Sequence, residues 1–127
     1  MKGITLLEKY PVSAELIKAW FLEKMIESFK DENVPSEFKD FMREQGIDND
    51  KVGTLIDVNP RNLFDVFDDN DIVIETLLYP SKEFTVIIGR QATTNSWKIR
   101  KEAELFAIEA AFEILENKLS PKEEEIN

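Results

Sequence analysis

Residues 97–119 read WKIRKEAELFAIEAAFEILENKL, and this stretch decides the fold. Leu105, Ile108, Ala111, Phe112 and Leu115 recur at three- and four-residue spacing, the period of one face of an α-helix. Ala103, Ala107 and Ala110 keep that helix small on one side, so it can lie close against a sheet. Ser96 is placed to cap its start, and Ser120-Pro121 ends it. The sheet comes immediately upstream. Phe84–Gln91 and Ile72–Tyr79 are both rich in β-branched residues and read as two antiparallel strands, joined through Pro80–Glu83. Thr93–Ser96 is a polar loop, and Trp97 either anchors the helix start on the sheet or stacks on a base.

Further upstream the pattern is helical. Pro11-Val12-Ser13 opens a helix with Ser13 as its cap, followed by Leu16, Ile17, Trp20, Phe21, Met25, Ile26 and Phe29 at helical spacing. Ala19 and Leu22 widen this stripe, so the helix is buried on two sides or gives part of its face to another subunit. Trp20, Leu22 and Phe29 are the candidate interface residues. Asp31–Val34 is a polar break. Pro35-Ser36-Glu37 opens a second helix with Phe38, Phe41 and Met42 on one side, ended by Gly46. Asp48–Lys51 reads as a polar turn. Asn59-Pro60 reads as a cap followed by proline, opening a short helix over 60–68, with a strand as the alternative. Asp68–Asp71 is a turn.

The expected class is therefore α+β: N-terminal helices, a small antiparallel sheet, and a long C-terminal helix packed on one face of it. A length of 127 residues fits one domain over 1–120, with 121–127 an acidic disordered tail.

Composition narrows the chemistry. The chain has no cysteine and no histidine, which excludes disulfides, the usual zinc sites and histidine-based catalysis. The apolar stretch Ile4–Leu6 is too short for a signal-peptide core, and no apolar run approaches the ~20 residues that cross a bilayer. A soluble, cytoplasmic protein without membrane contact is the expectation. The net charge of −10 is uneven: 1–30 carry +1, 31–83 carry −9, and 84–127 carry −2. Such a field repels polyanions over most of the surface, so any nucleic-acid contact needs a local basic patch.

Two constellations offer such specific chemistry. The run Arg100-Lys101-Glu102-Ala103-Glu104, continuing through Ala107, Ala110-Ala111 and Glu113-Ile114-Leu115, resembles the last helix of double-stranded RNA-binding domains. In that family a basic pair opens an alanine-rich helix that packs on a sheet, and the Ile72–Gln91 hairpin suits that sheet. Ser36–Gln45 would stand in for the family's first helix. The resemblance implies that Arg100 and Lys101, supported by Lys98 and Arg90, grip phosphates across a duplex groove. Glu104 stands where the family has a further basic residue, and the family's Gly-Pro-x-His loop is missing. The closing segment is also similar to those of small uncharacterised phage-type proteins, which implies no activity.

The second constellation, Asp48-Asn49-Asp50-Lys51-Val52-Gly53-Thr54-Leu55, resembles the start of an EF-hand loop, with Asp48 and Asp50 as oxygen ligands and Gly53 at the sixth position. Val52 and Asn59 fill the fifth and twelfth positions, where the motif uses an oxygen ligand and a bidentate glutamate. The carboxylates Asp65, Asp68, Asp69 and Asp71 read as a solvated acidic turn, since no nucleophile or phosphate cradle accompanies them. The expected function is that of a non-enzymatic binding or regulatory protein working through protein–protein contacts, with a homodimer one form of these. An accessory role in a phage or mobile element is compatible with this. Duplex-RNA binding and weak calcium binding are the alternatives, and no cofactor is expected.

Overall fold

The computed structural model describes residues 2–29 and 34–120. In chain order the elements are α1 (Gly3–Lys9), α2 (Pro11–Glu27), α3 (Ser36–Gln45), α4 (Asn49–Val58) and α5 (Asn62–Asp69). Then come β1 (Ile74–Leu78), β2 (Phe84–Ile88), β3 (Gln91–Ala92) and α6 (Arg100–Leu119). The class is α+β, with a three-stranded antiparallel sheet in the order β1-β2-β3. The expected tail at 121–127 and most of the polar break at 31–34 lie outside the described residues.

The sheet is built on the expected hairpin but ends differently. Ile74 pairs with Ile88 and Leu78 with Phe84. The second strand stops at Ile88 rather than at Gln91. Gly89 and Arg90 both take positive φ, at 57° and 75°, which makes a tight turn that sends Gln91–Ala92 back along β2. Trp97 adds one more rung: its N–H donates to the Phe84 carbonyl at 2.8 Å, and Phe84 N–H donates to the Trp97 carbonyl at 2.6 Å.

Helix α6 lies across β2 and β1 and also packs on α2 and α5. Its buried face is Ala103, Glu104, Ala107, Ile108, Ala111, Phe112 and Leu115. Leu105, expected inward, faces solvent, and Glu104 takes a buried position instead. The alanines remove bulk where the helix crosses the sheet, and Phe112 fills the middle. Its ring stacks on Tyr10 at 5.4 Å and meets Phe67 edge-on at 5.5 Å, distances typical of stabilising aromatic pairs. Ser96 does not cap α6. The helix starts at Arg100 behind Ile99, and the Ser96 hydroxyl donates to Glu83 at 3.1 Å.

Helix α1 was not legible as a helix, and it exists through its contact with α4. Gly3 and Gly53 face each other so closely that a Cβ on Gly3 would stand 2.6 Å from the Gly53 carbonyl oxygen. The Gly3 N–H, an orphan donor at the helix start, is met by Asp57 Oδ1 at 2.7 Å. Helix α2 follows with Pro11 at its first position. Ser13 is not its cap: it lies inside the helix, fully buried, and its Oγ has no partner among the described residues. Helix α5 begins at Asn62, after a turn through Pro60 and Arg61, so Asn59 ends α4 rather than capping α5. No helix among the described residues is long and apolar enough to cross a membrane.

Candidate functional site

Helix α3 is the unusual element. Pro35 sets its extended entry, and Gly46, at φ 72°, turns the chain out of it toward Ile47 and α4. Phe38, Phe41 and Met42 form its apolar stripe, yet no residue of α3 is buried. Phe38 is 48% exposed and Phe41 is 54% exposed. An exposed ion pair also joins the helix to α2. Arg43 donates through Nε and Nη2 to the two carboxylate oxygens of Glu23, at 2.9 and 3.2 Å, and through Nη1 to Asp40 at 3.3 Å. The hydrogen bond from Arg43 holds the Glu23 carboxyl below its ordinary pKa. Leu22, Met25, Phe38, Phe41, Met42 and Ile47 line a pocket of about 260 Å³, with Asp48 and Lys51 also in its lining. It is an apolar groove between α2, α3 and the start of α4, with Glu37, Asp40, Glu44 and Asp50 on the exposed surface of the same helices.

The remaining candidate residues are scattered. Asp48 serves α4 itself: its Oδ1 accepts from Lys51 N–H at 2.8 Å as an N-cap. Asp48–Asn59 is therefore a capped helix and not a cation-wrapping loop, with Asp50 in its first turn. No cluster of acidic residues with metal-binding geometry occurs among the described residues. Trp20 is tied down by its indole N–H, which donates to Asp69 at 2.9 Å, and Leu22 is buried at the floor of the groove. Phe29 is half-buried.

Lys98, Arg100 and Lys101 do gather at the start of α6, with the Arg100 guanidinium 5.5 Å from the Phe84 ring centre. Arg90 does not join them. It sits in the β2–β3 turn, at the other end of β2 from Phe84, at least about 13 Å away along the strand. Glu104, one turn into α6, is buried and accepts from Arg61 Nη2 at 3.0 Å. Arg61 and Lys101 border a second pocket of about 290 Å³, floored by Phe64, Leu105 and Ile108 and also lined by Asp57 and Glu104. Two carboxylates thus offset two cations there. Helix α3, the stand-in for a first RNA-binding helix, packs on α2.

The groove was not legible as a site because Phe38, Phe41 and Met42, expected on one side of the helix, give the same pattern whether they are covered or open. The only available signal was the isolation of that short helix between Pro35 and Gly46. Comparison with protein-family models, with curated proteins and with solved structures gives no match to this chain.

Proposed function

We propose that this chain is a non-enzymatic binding protein that takes a basic, amphipathic helical segment of a partner protein into the groove between α2, α3 and α4. One observation carries the reading: α3 holds Phe38 and Phe41 half in solvent beside an apolar pocket, with no buried residue of its own. Exposed aromatic side chains beside a preformed pocket are the usual anchors of a helix-in-groove contact. Charge chooses the partner. The segment 31–83 carries −9, and Glu37, Glu44 and Asp50 are exposed on the helices that form the groove, so a partner with basic residues around its apolar face is attracted and an acidic one repelled, although the groove's own charged lining, Asp48 and Lys51, is balanced. We place the protein in the cytoplasm, where a cysteine-free chain loses nothing.

A basic amphipathic helical peptide tests this by chemical-shift titration. Shifts should concentrate on α3 and the Gly46–Asp48 turn and weaken as salt rises. Phe38→Ala with Phe41→Ala should reduce affinity at least tenfold. Both side chains are exposed, so the folding midpoint should hardly change. A peptide that shifts nothing on α3 at low salt, or that binds the double variant equally well, would refute the reading.

Duplex-RNA binding is the second reading, supported by the gathering of Lys98, Arg100 and Lys101. It requires strongly salt-dependent binding that Arg100→Glu with Lys101→Glu abolishes and the Phe38/Phe41 variant leaves intact.

A further inference from the structure

We infer that β1 is the seam of a symmetric homodimer, formed when its free edge pairs antiparallel with β1 of a second copy. Strand β1 lies at the end of the sheet, bonded on one side only. Two hydrogen bonds fix which of its residues face outward. Gly89 N–H donates to the Val73 carbonyl and Tyr79 N–H to the Glu83 carbonyl, each at 2.9 Å. Residues 73, 75, 77 and 79 therefore point their backbone groups at β2, and Ile74, Thr76 and Leu78 point theirs away from it. Among the described residues no hydrogen bond reaches those outward groups. Between Ile74 and Leu78 the strand has no proline, lysine or bulge, and Glu75 is its one charged side chain.

Three features favour a second copy over another strand. The first is register. A two-fold axis at Thr76 sets Thr76 opposite its counterpart and Ile74 opposite Leu78. Every outward residue then exchanges both its bonds, about six in all. The second is burial. Val73, Leu78 and Tyr79 are 47–60% exposed, and this register pairs Ile74 with Leu78 on one face and Val73 with Tyr79 on the other, with Leu77 opposite Glu75. The third is charge. Residues 73–79 hold one charged side chain, Glu75, in a chain of net charge −10. The nearly uncharged strip keeps local repulsion at the seam small, while the net charge of the two copies opposes association overall, so the dimer should tighten as salt rises. The two Glu75 side chains would lie diagonally on one face, about 7–8 Å apart, and weakly repel. The product is one six-stranded sheet carrying both α6 helices on the same face.

Absence of native cysteine makes a clean test. Thiols from Thr76→Cys would sit on paired backbones about 5.5 Å apart, inside disulfide range, so oxidation should give covalent dimer, while Ser81→Cys in the hairpin loop should not. In sedimentation equilibrium the unmodified protein should pass from monomer to dimer with concentration. Glu75→Gln should tighten that equilibrium about two- to fivefold. Thr76→Pro, which removes an outward N–H and spares the β2 ladder, should stay folded by circular dichroism and be monomeric. The Phe38/Phe41 variant should dimerise normally, which separates this seam from the groove. A monomer at every concentration overturns the inference. So does a dimer that Thr76→Cys fails to cross-link and Thr76→Pro leaves intact.

Discussion

Glu116 belongs to the last turns of α6 yet serves the first turn of α2. Its two carboxylate oxygens accept from Ser13 N–H at 2.8 Å and Val12 N–H at 3.2 Å. Pro11 has no N–H to satisfy, so these are the donors that the helix itself leaves open. The carboxylate also places negative charge at the positive end of α2. A side chain roughly a hundred residues away thus does what Ser13 was expected to do. Glu116→Ala should cost about 1 kcal/mol, the ordinary worth of an N-cap, measured as a drop in the urea midpoint at unchanged slope. Glu116→Gln should cost less, because one acceptor remains. An alanine variant as stable as the parent would mean that water caps α2 equally well.

At the scale of elements, the α1–α4 crossing rests on two glycines. A Cβ on Gly53 would stand 2.8 Å from the Ile4 backbone nitrogen, an obstruction that no rotamer change relieves. Gly53→Ala should destabilise by about 1–3 kcal/mol despite the better helix propensity of alanine, because the two helices must part. Amide exchange should then rise first in Gly3–Lys9. Unchanged protection there would show that the crossing tolerates the extra methyl. The same crossing explains why Gly53, which aligned with the glycine of a calcium loop, lies within a helix: here the glycine makes room for a neighbouring backbone. Helix α6 is the converse case. Its alanines make the contact with the sheet from one side, so its pattern was readable without knowing its partner.

At the scale of the molecule, Glu109 ties both ends of the chain together. It accepts from Lys9 Nζ at 2.7 Å and from the Tyr10 hydroxyl at 3.2 Å, linking the α1–α2 junction to α6. The hydrogen bond from Lys9, more than any other contact, holds its carboxyl below the ordinary glutamate value. A depressed native pKa stabilises fully above the unfolded value, about 4.3, and that contribution is lost as pH falls through the native value. Falling pH also shrinks the net charge of −10 and relieves repulsion, so the two effects oppose. Comparing the parent with Glu109→Gln separates them. The variant should be less stable at pH 7, and the gap should close below about pH 4. A gap that is equal at pH 7 and pH 3 would rule out Glu109 as its source.

The sequence by itself determined the α+β class, the hairpin, and a long closing helix bearing an alanine-rich face, because these follow from local period and composition. Helix 60–68 was also readable to within two residues, since Leu63, Phe64, Val66 and Phe67 fall at helical spacing. Tertiary structure alone decided what each end and face meets. Capping by Glu116 and Asp57, the burial of Glu104 against Arg61, and the turn at Gly89-Arg90 depend on neighbours remote in the chain or on backbone angles that composition leaves open. Exposure decided the candidate site in the same way. A stripe of Phe38, Phe41 and Met42 looks identical whether or not something covers it, and only the packed molecule leaves it open. The closing helix shows both sides of this. Its alanine-rich period marks a face for docking on the sheet, but only the fold turned Leu105 outward and set Glu104 inside.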